Sequence, residues 1–379
     1  MWVRDISVGS IADAVRFAVF LVFLLTSAAP PALAEAMPPK LAFIGEATIP
    51  PGFQFGGTPV GGLSGIDYAP DDDLFYAISD DRSKFAPARF YTLHIDLADG
   101  TLGPGDISLR SVVIIRKADG DPFDAGSVDP EAIRYDAASD SLYWTSEGDA
   151  AALIPPSVRQ MTPDGAFIRQ LDLPRKFVPT ARPSGVRANF AFESLTLLPG
   201  SLRTLTGSEN ALFQDGPAAS PSTGSPARWL ENATVGGGAL REFVYVTDPV
   251  ASPPDPPSAS SLAGLVDLLA VDKTHYLALE RSFSAGVGHS IKLYYCSIVG
   301  ATNVRSFPSI VGRAVQPVSK QLVADLADFG LVPDNIEGVT FGPRLPDGKR
   351  SLIFVSDNNF SATRGTRLLA FRYTPPRSH

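Results

Sequence analysis

Acidic residues recur at matching places along this chain of 379 residues, and they are the side chains best placed to do chemistry. One set opens a short apolar run: Glu131, Glu193 and Glu337. A second set closes the apolar run that follows: Asp80 and Asp81, Glu147 and Asp149, Glu209, Glu280, and Asp357. Turn residues (Pro, Asp, Gly, Ser) separate the two runs, so each pair reads as a β-hairpin. In an antiparallel hairpin the start of one strand lies beside the end of its partner. Both sets are therefore expected at the same end of every hairpin. Ionised carboxylates crowd together only at a cost, so either their pKa values rise or a cation intervenes. An oxygen-only ligand set suits Ca²⁺, which takes about six to eight oxygens, better than the more strictly octahedral Mg²⁺. Glu131, Glu147, Glu193, Glu209, Glu280, Glu337 and Asp357 are thus the candidate metal ligands. Arg82 and Arg281 directly follow two of these acids and are candidates for holding an anionic substrate. The competing explanation is structural, since acids that pair with Arg, cap backbone groups or bind channel water leave a similar pattern.

Other reactive side chains are sparse. His289 sits in the Gly-rich stretch SAGVGHSIK, read as a loop just after Glu280-Arg281, and is a candidate acid or base; the competing reading is a surface histidine in a turn. His94 and His275 read as structural strand residues, and His379 ends a polar tail. The single cysteine, Cys296, lies in the strand-like run IKLYYCSI and reads as a small buried hydrophobe. The chain has no Gly-x-Ser-x-Gly elbow, no His-Glu-x-x-His pair, no Walker loop and no EF-hand loop. Ser64, in GGLSGID, occupies the repeat place held elsewhere by Glu and reads as a framework residue.

The elements that must position these acids come from an internal repeat. Residues 62–81, 130–149, 192–210, 264–282 and 336–359 share the form apolar strand, turn, second strand, acid. Further strands are expected at 90–97, 108–117, 158–161, 167–173, 242–248, 291–298, 321–326 and 366–373. Four short antiparallel strands per repeat make the blade of a β-propeller, and the repeat of roughly 60–75 residues is somewhat longer than common blade repeats. The last repeat is one strand short, while residues 41–48 (LAFIGEAT) form a strand with no repeat of their own. The fold class predicted is all-β: a propeller of five blades whose ring is closed by the N-terminal strand. Closure would remove an exposed sheet edge. Six blades is the alternative, because the Pro/Ser-rich insert at about 215–261 is long enough to hide one. That insert holds two stretches read as loops, GPAASPSTGSPAR and PVASPPDPPSAS, and the short glycosylation sequon Asn232-Ala-Thr234.

Composition narrows the setting. The net charge is −8 with no Lys/Arg cluster, so nucleic acid is not an expected partner. Arg4 and Arg16, the apolar run 17–25 and Ala32-Leu33-Ala34 form an export signal, residues 1–34. The expected product is a periplasmic or secreted protein with its propeller domain over 41–375 and no transmembrane anchor after cleavage. Asp5 and Asp13 weaken the basic n-region, so an uncleaved anchor is the alternative. One cysteine makes no internal disulfide, so packing alone must hold the fold.

At GLSGIDY with LFYAISDD, at ADGDPFDAGSVDPEAIRYD with the SEG after it, at AFESLTLL, at LALERSF and at DNIEGVTFGPRLPDGKRSLIFVSDNNF, the sequence resembles the phytase-like family called "esterase-like activity of phytase". The resemblance spans about 41–373. It implies a β-propeller hydrolase acting on phosphate or other esters with Ca²⁺ assistance, the carboxylates above holding the ion and a small-molecule ester as substrate. The alternative is a non-catalytic propeller that binds a ligand, glycan or protein in the periplasm.

Overall fold

The computed structural model describes residues 37–376. The expected export signal lies outside them. Runs such as LFYAIS and SLYWTS are buried along almost their whole length, as strands covered on both faces must be. The last strand of the second repeat alternates instead. FIRQ reads half-buried, exposed, half-buried, exposed, as an edge strand with one wet face does.

The first blade comprises β4 (Leu63–Ala69), β5 (Leu74–Ser79), β6 (Arg89–Ile95) and β7 (Ile107–Ile114). It follows β1 (Lys40–Ile49) and a two-residue ladder, β2 (Gln54–Phe55) with β3 (Thr58–Pro59). The second blade comprises β8 (Pro130–Asp136), β9 (Ser141–Ser146), β10 (Ser157–Met161) and β11 (Phe167–Gln170), and the third β12 (Phe192–Leu197), β13 (Arg203–Ser208), β14 (Pro226–Ala233) and β15 (Ala239–Val246). The fourth comprises β16 (Ser261–Ala270), β17 (His275–Ser284), β18 (Gly288–Ser297) and β19 (Ser319–Asp325). The fifth holds β20 (Ile336–Arg344), β21 (Arg350–Ser356) and β22 (Thr366–Thr374), and β1 pairs with β22 as its outermost strand. The structure is thus a five-bladed propeller closed by its N-terminal strand. The first strands β4, β8, β12, β16 and β20 neighbour one another in a ring.

There is no sixth blade among the described residues. The insert at 215–261 supplies β14 and β15, the outer half of the third blade, between two loops. Its sequon is no glycan acceptor in the folded chain. Asn232 is buried in β14, and its Nδ2 donates to the carbonyls of Asp172 and Gly237.

Five apolar clusters lie between successive blades, one per interface. Phe75, Ile66 and Ile353 join the first and fifth blades, and Trp144 and Phe90 the first and second. Phe192 and Tyr143 join the second and third, Trp229 and Tyr276 the third and fourth, and Leu279 and Phe354 the fourth and fifth. A blade cannot bury both faces alone, so these clusters hold the ring together. The axis itself is crossed by Arg134 of β8. Its Nη1 donates to the Ile66 carbonyl, and its Nη2 reaches Asp267 Oδ1 and Oδ2 at 2.8 and 2.7 Å and the Leu268 carbonyl. This pair ties the inner strands of the first, second and fourth blades together. Among the described residues no helix is long and apolar enough to cross a membrane.

Candidate metal centre at one mouth of the ring

Each inner strand carries a register break at the same place, adjoining Ser64, Glu131, Glu193, Val266 or Glu337. A β-bulge re-aims a side chain away from the regular alternation. Three of the five breaks thus present a glutamate. On the second strands, the residue paired just before the break is Ser79, Ser146, Ser208, Glu280 or Ser356. The next residue is then Asp80, Glu147, Glu209, Arg281 or Asp357, one per blade.

Most of the acids so presented converge on a cavity of about 700 Å³, with Glu209 set behind its lining. Asp80, Glu131, Glu147, Glu193, Glu337 and Asp357 line it, with Arg82, Arg281 and His289. Asp129, Glu131 and Glu147 each place a carboxylate oxygen within 4.8 Å of the others, and so do Glu147, Glu193 and Glu209. Glu147 belongs to both groups. Its Oε1 accepts the Ala191 N–H at 2.6 Å, which fixes it at the boundary between the second and third blades. Glu209 is pressed against Gly264, where a Cβ would come within 2.3 Å of Glu209 Cγ, so only glycine leaves room for it.

Glu280, expected among the ligands, is not at this mouth. It stands in register with the four serines, and the one-residue step along the strand turns it to the opposite face. There it accepts the Tyr245 hydroxyl, the Asp248 N–H and Lys320 Nζ. Arg281 takes the acid's place in the fourth blade. It bonds Glu337 and Asn335 on the fifth blade and Glu209 on the third. Arg82 is likewise engaged, with Asp129 at 3.4 Å and Asp149 at 2.9 Å. His289 lies on β18, cross-strand from Phe283, rather than in a loop. Burial, and then Arg281, lowers its pKa and favours the neutral ring. Asp81 points away into a buried pair with Arg89 at 2.6 Å. Ser64 donates to the Glu131 carbonyl, a framework role. Cys296 is buried, and burial raises its thiol pKa. Sequence reasoning missed Asp129; its signal was the acid two places before Glu131 in DPE.

The electrostatics are one-sided. Burial and the carboxylates of Glu193, Asp129, Asp80 and Glu147 all raise the pKa of Glu131. Asp80 is raised the same way, by burial and then by Asp357 and Glu337. Burial pushes Asp129 and Asp357 up to about 7, Glu147 to about 8 and Glu209 to about 6, the last despite Arg281. A cation placed among them would reverse these shifts. Both three-residue groups offer carboxylate oxygen alone, the donor set of a hard cation such as Ca²⁺ rather than of zinc or copper.

Fold and site together define the class: a five-bladed propeller with an acid-ringed mouth. The chain belongs to the phytase-like family described as "Esterase-like activity of phytase", whose match covers residues 58–360 and so all of the mouth acids. No protein with a curated description matches the sequence. Solved structures of similar shape include the periplasmic gluconolactonase of Pseudomonas aeruginosa (14% identity, 83% of this chain and 87% of that one, TM-score 0.35). Another is an α-L-arabinofuranosidase from Podospora anserina (9% identity, 90% and 98%, TM-score 0.43). Likeness at this level concerns fold alone.

Proposed function

We propose that this protein is an exported hydrolase of phosphate or other esters, assisted by Ca²⁺ held at the acidic mouth. The observation that carries the reading is the pair of carboxylate groups sharing Glu147, of which Asp129, Glu131, Glu147 and Glu193 line a cavity large enough for a small molecule. Asp129, Glu131, Glu147, Glu193 and Glu209 would hold the ion. A divalent cation supplies Lewis-acid charge that offsets an anionic ester and polarises its scissile group. The chain's own residues do the rest. Arg281 and Arg82 keep the crowded acids from losing their positions to mutual repulsion, and both sit where an anionic substrate would enter. His289, held neutral on the cavity wall, is available to accept a proton.

Phosphate release from phytate and from simpler phosphate esters, measured after chelator treatment with and without added Ca²⁺, tests this reading. Calcium-dependent release is the expected result. No release from any ester, phosphate or carboxylic, in either condition would leave the non-catalytic binding propeller as the better description.

Linkage supplies a second expectation. Carboxylates in an unfolded chain titrate near about 4. Between that pH and about 8, the cation-free fold holds protons on Asp129, Glu147, Glu209 and Asp357 that the unfolded chain has released. The native state binds more protons there, so stability falls as pH rises through the window. The thermal midpoint of chelator-treated protein should therefore drop from about pH 5 to about pH 8, and calcium should raise it more at the higher pH, because the ion displaces protons at the lower one. A midpoint indifferent to calcium at both pH values would remove the ion from the proposal.

A further inference from the structure

An aromatic shelf stands beside the acids. The turn after β21 that carries Asp357 continues through Asn359 and Phe360, both at positive φ (49° and 50°). Two successive side-chain-bearing residues in that region are sterically disfavoured, and such strain gathers at functional sites. It is held by Asp357 Oδ1, which accepts the Asn359 N–H at 2.6 Å, and by Asn358 Oδ1, which accepts the Phe360 and Gly62 N–H groups. The result sets the Phe360 ring against the first blade, so close that a Cβ on Gly62 would meet it at 2.7 Å. Phe85 rests on Phe360 with ring centroids 4.6 Å apart, yet is 65% exposed. Its backbone is fixed from beneath. Asp81, paired with the buried Arg89, accepts the N–H groups of Lys84, Phe85 and Ala86. Across the cavity Phe283 packs on His289 at 4.8 Å, beside Leu262. A ring whose backbone is fixed, which is packed on a neighbouring ring and which is otherwise mostly left to water, has surface free to take another flat face.

We propose that the Phe85–Phe360 shelf is a specificity subsite for phosphate esters whose alcohol carries a flat apolar ring. This rests on the proposed ester-binding mouth and names its substrate class. Phe85 and Phe360 line the same cavity as Asp129, Glu131, Glu147 and Glu193, so an ester held among the acids has the shelf within that cavity for its alcohol. An inositol bearing a phosphate on every carbon offers no bare face to stack and is the poorer fit.

Calorimetric titration of the calcium-loaded protein with a non-hydrolysable naphthylmethyl phosphonate and with methylphosphonate tests this. The naphthyl ligand should bind on the order of tenfold tighter, and Phe85→Ala should remove roughly three- to tenfold of its affinity while methylphosphonate binding is unchanged. Phe85 is exposed, so its loss leaves the fold intact. Equal affinities for the two ligands, or a naphthyl preference that survives Phe85→Ala, would overturn the shelf while leaving the ester site standing. Binding of neither ligand would overturn the ester site and the shelf with it.

Discussion

On the proposed reading, Glu147→Gln is expected to weaken calcium binding by at least about 100-fold, because it removes the one carboxylate common to both candidate ligand groups. Even the hydrogen-bond partners of metal ligands are worth roughly 10- to 100-fold in affinity. The substitution spares the fold. Glutamine keeps the oxygen that accepts the Ala191 N–H, and it deletes a buried charge repelled by Asp129 and Glu209. Chelator-treated Glu147→Gln is accordingly expected to be more stable than the parent at about pH 8 and to gain little from calcium. Glu280→Gln is the matched control. It removes a charge that faces Lys320, and one of the two oxygens that accept from Tyr245 and Asp248, on the fourth blade away from the mouth, and calcium affinity should hold. Calcium titration followed by calorimetry, with turnover alongside, separates the two. Equal losses in both variants would mean that the ion, if it binds, does not bind at this mouth.

Arg134→Met costs about 3–5 kcal/mol of stability, the range for removing one partner of a buried ion pair. Arg134 and Asp267 are both almost fully buried, and the guanidinium also serves the carbonyls of Ile66, Leu268 and Val339. Burial already holds Asp267 at about 6 against the opposing effect of Arg134. Without the guanidinium its carboxyl keeps a proton that the unfolded chain has released, so the deficit should grow from about pH 5 to about pH 8. Urea midpoints at the two pH values measure this. The double variant Arg134→Met with Asp267→Leu should recover part of the loss, since no charge is then stranded. A single-variant cost below about 1 kcal/mol would show that the axis is held by the blade interfaces alone.

Much of this molecule was legible before any coordinates. Strand, turn, strand, acid is a local pattern, and antiparallel pairing is a local rule, so the repeat gave the hairpins and put Glu131 and Glu147 at one end of the second blade. The unpartnered strand at 41–48 gave the closure. The same local reasoning failed by one residue in the fourth blade. The pattern points to Glu280 as the ring acid because it is acidic, whereas the register assigns that place to Arg281. In a strand one residue is the difference between two faces, and only the pairing across the bulge at Leu265 and Asp267 decides which. The axial pair carried a weak signal, an acid inside the apolar run GLVDLLAV and an arginine in AIRYD, but nothing in either segment names the other.

The sequence by itself thus determined the blade pattern and the end of each hairpin that bears charge, because those follow from contacts between near neighbours along the chain; five blades rather than six was decided by the insert's pairing as β14 and β15 in the third blade. Tertiary structure alone decided which acids meet. Glu147 joins Asp129 and Glu131 of its own blade to Glu193 and Glu209 of the next, Arg134 finds Asp267 across the axis, and Phe85 of the first blade finds Phe360 of the last. Those meetings depend on the angle at which five sheets stack and close, a property of the whole ring that no single segment encodes.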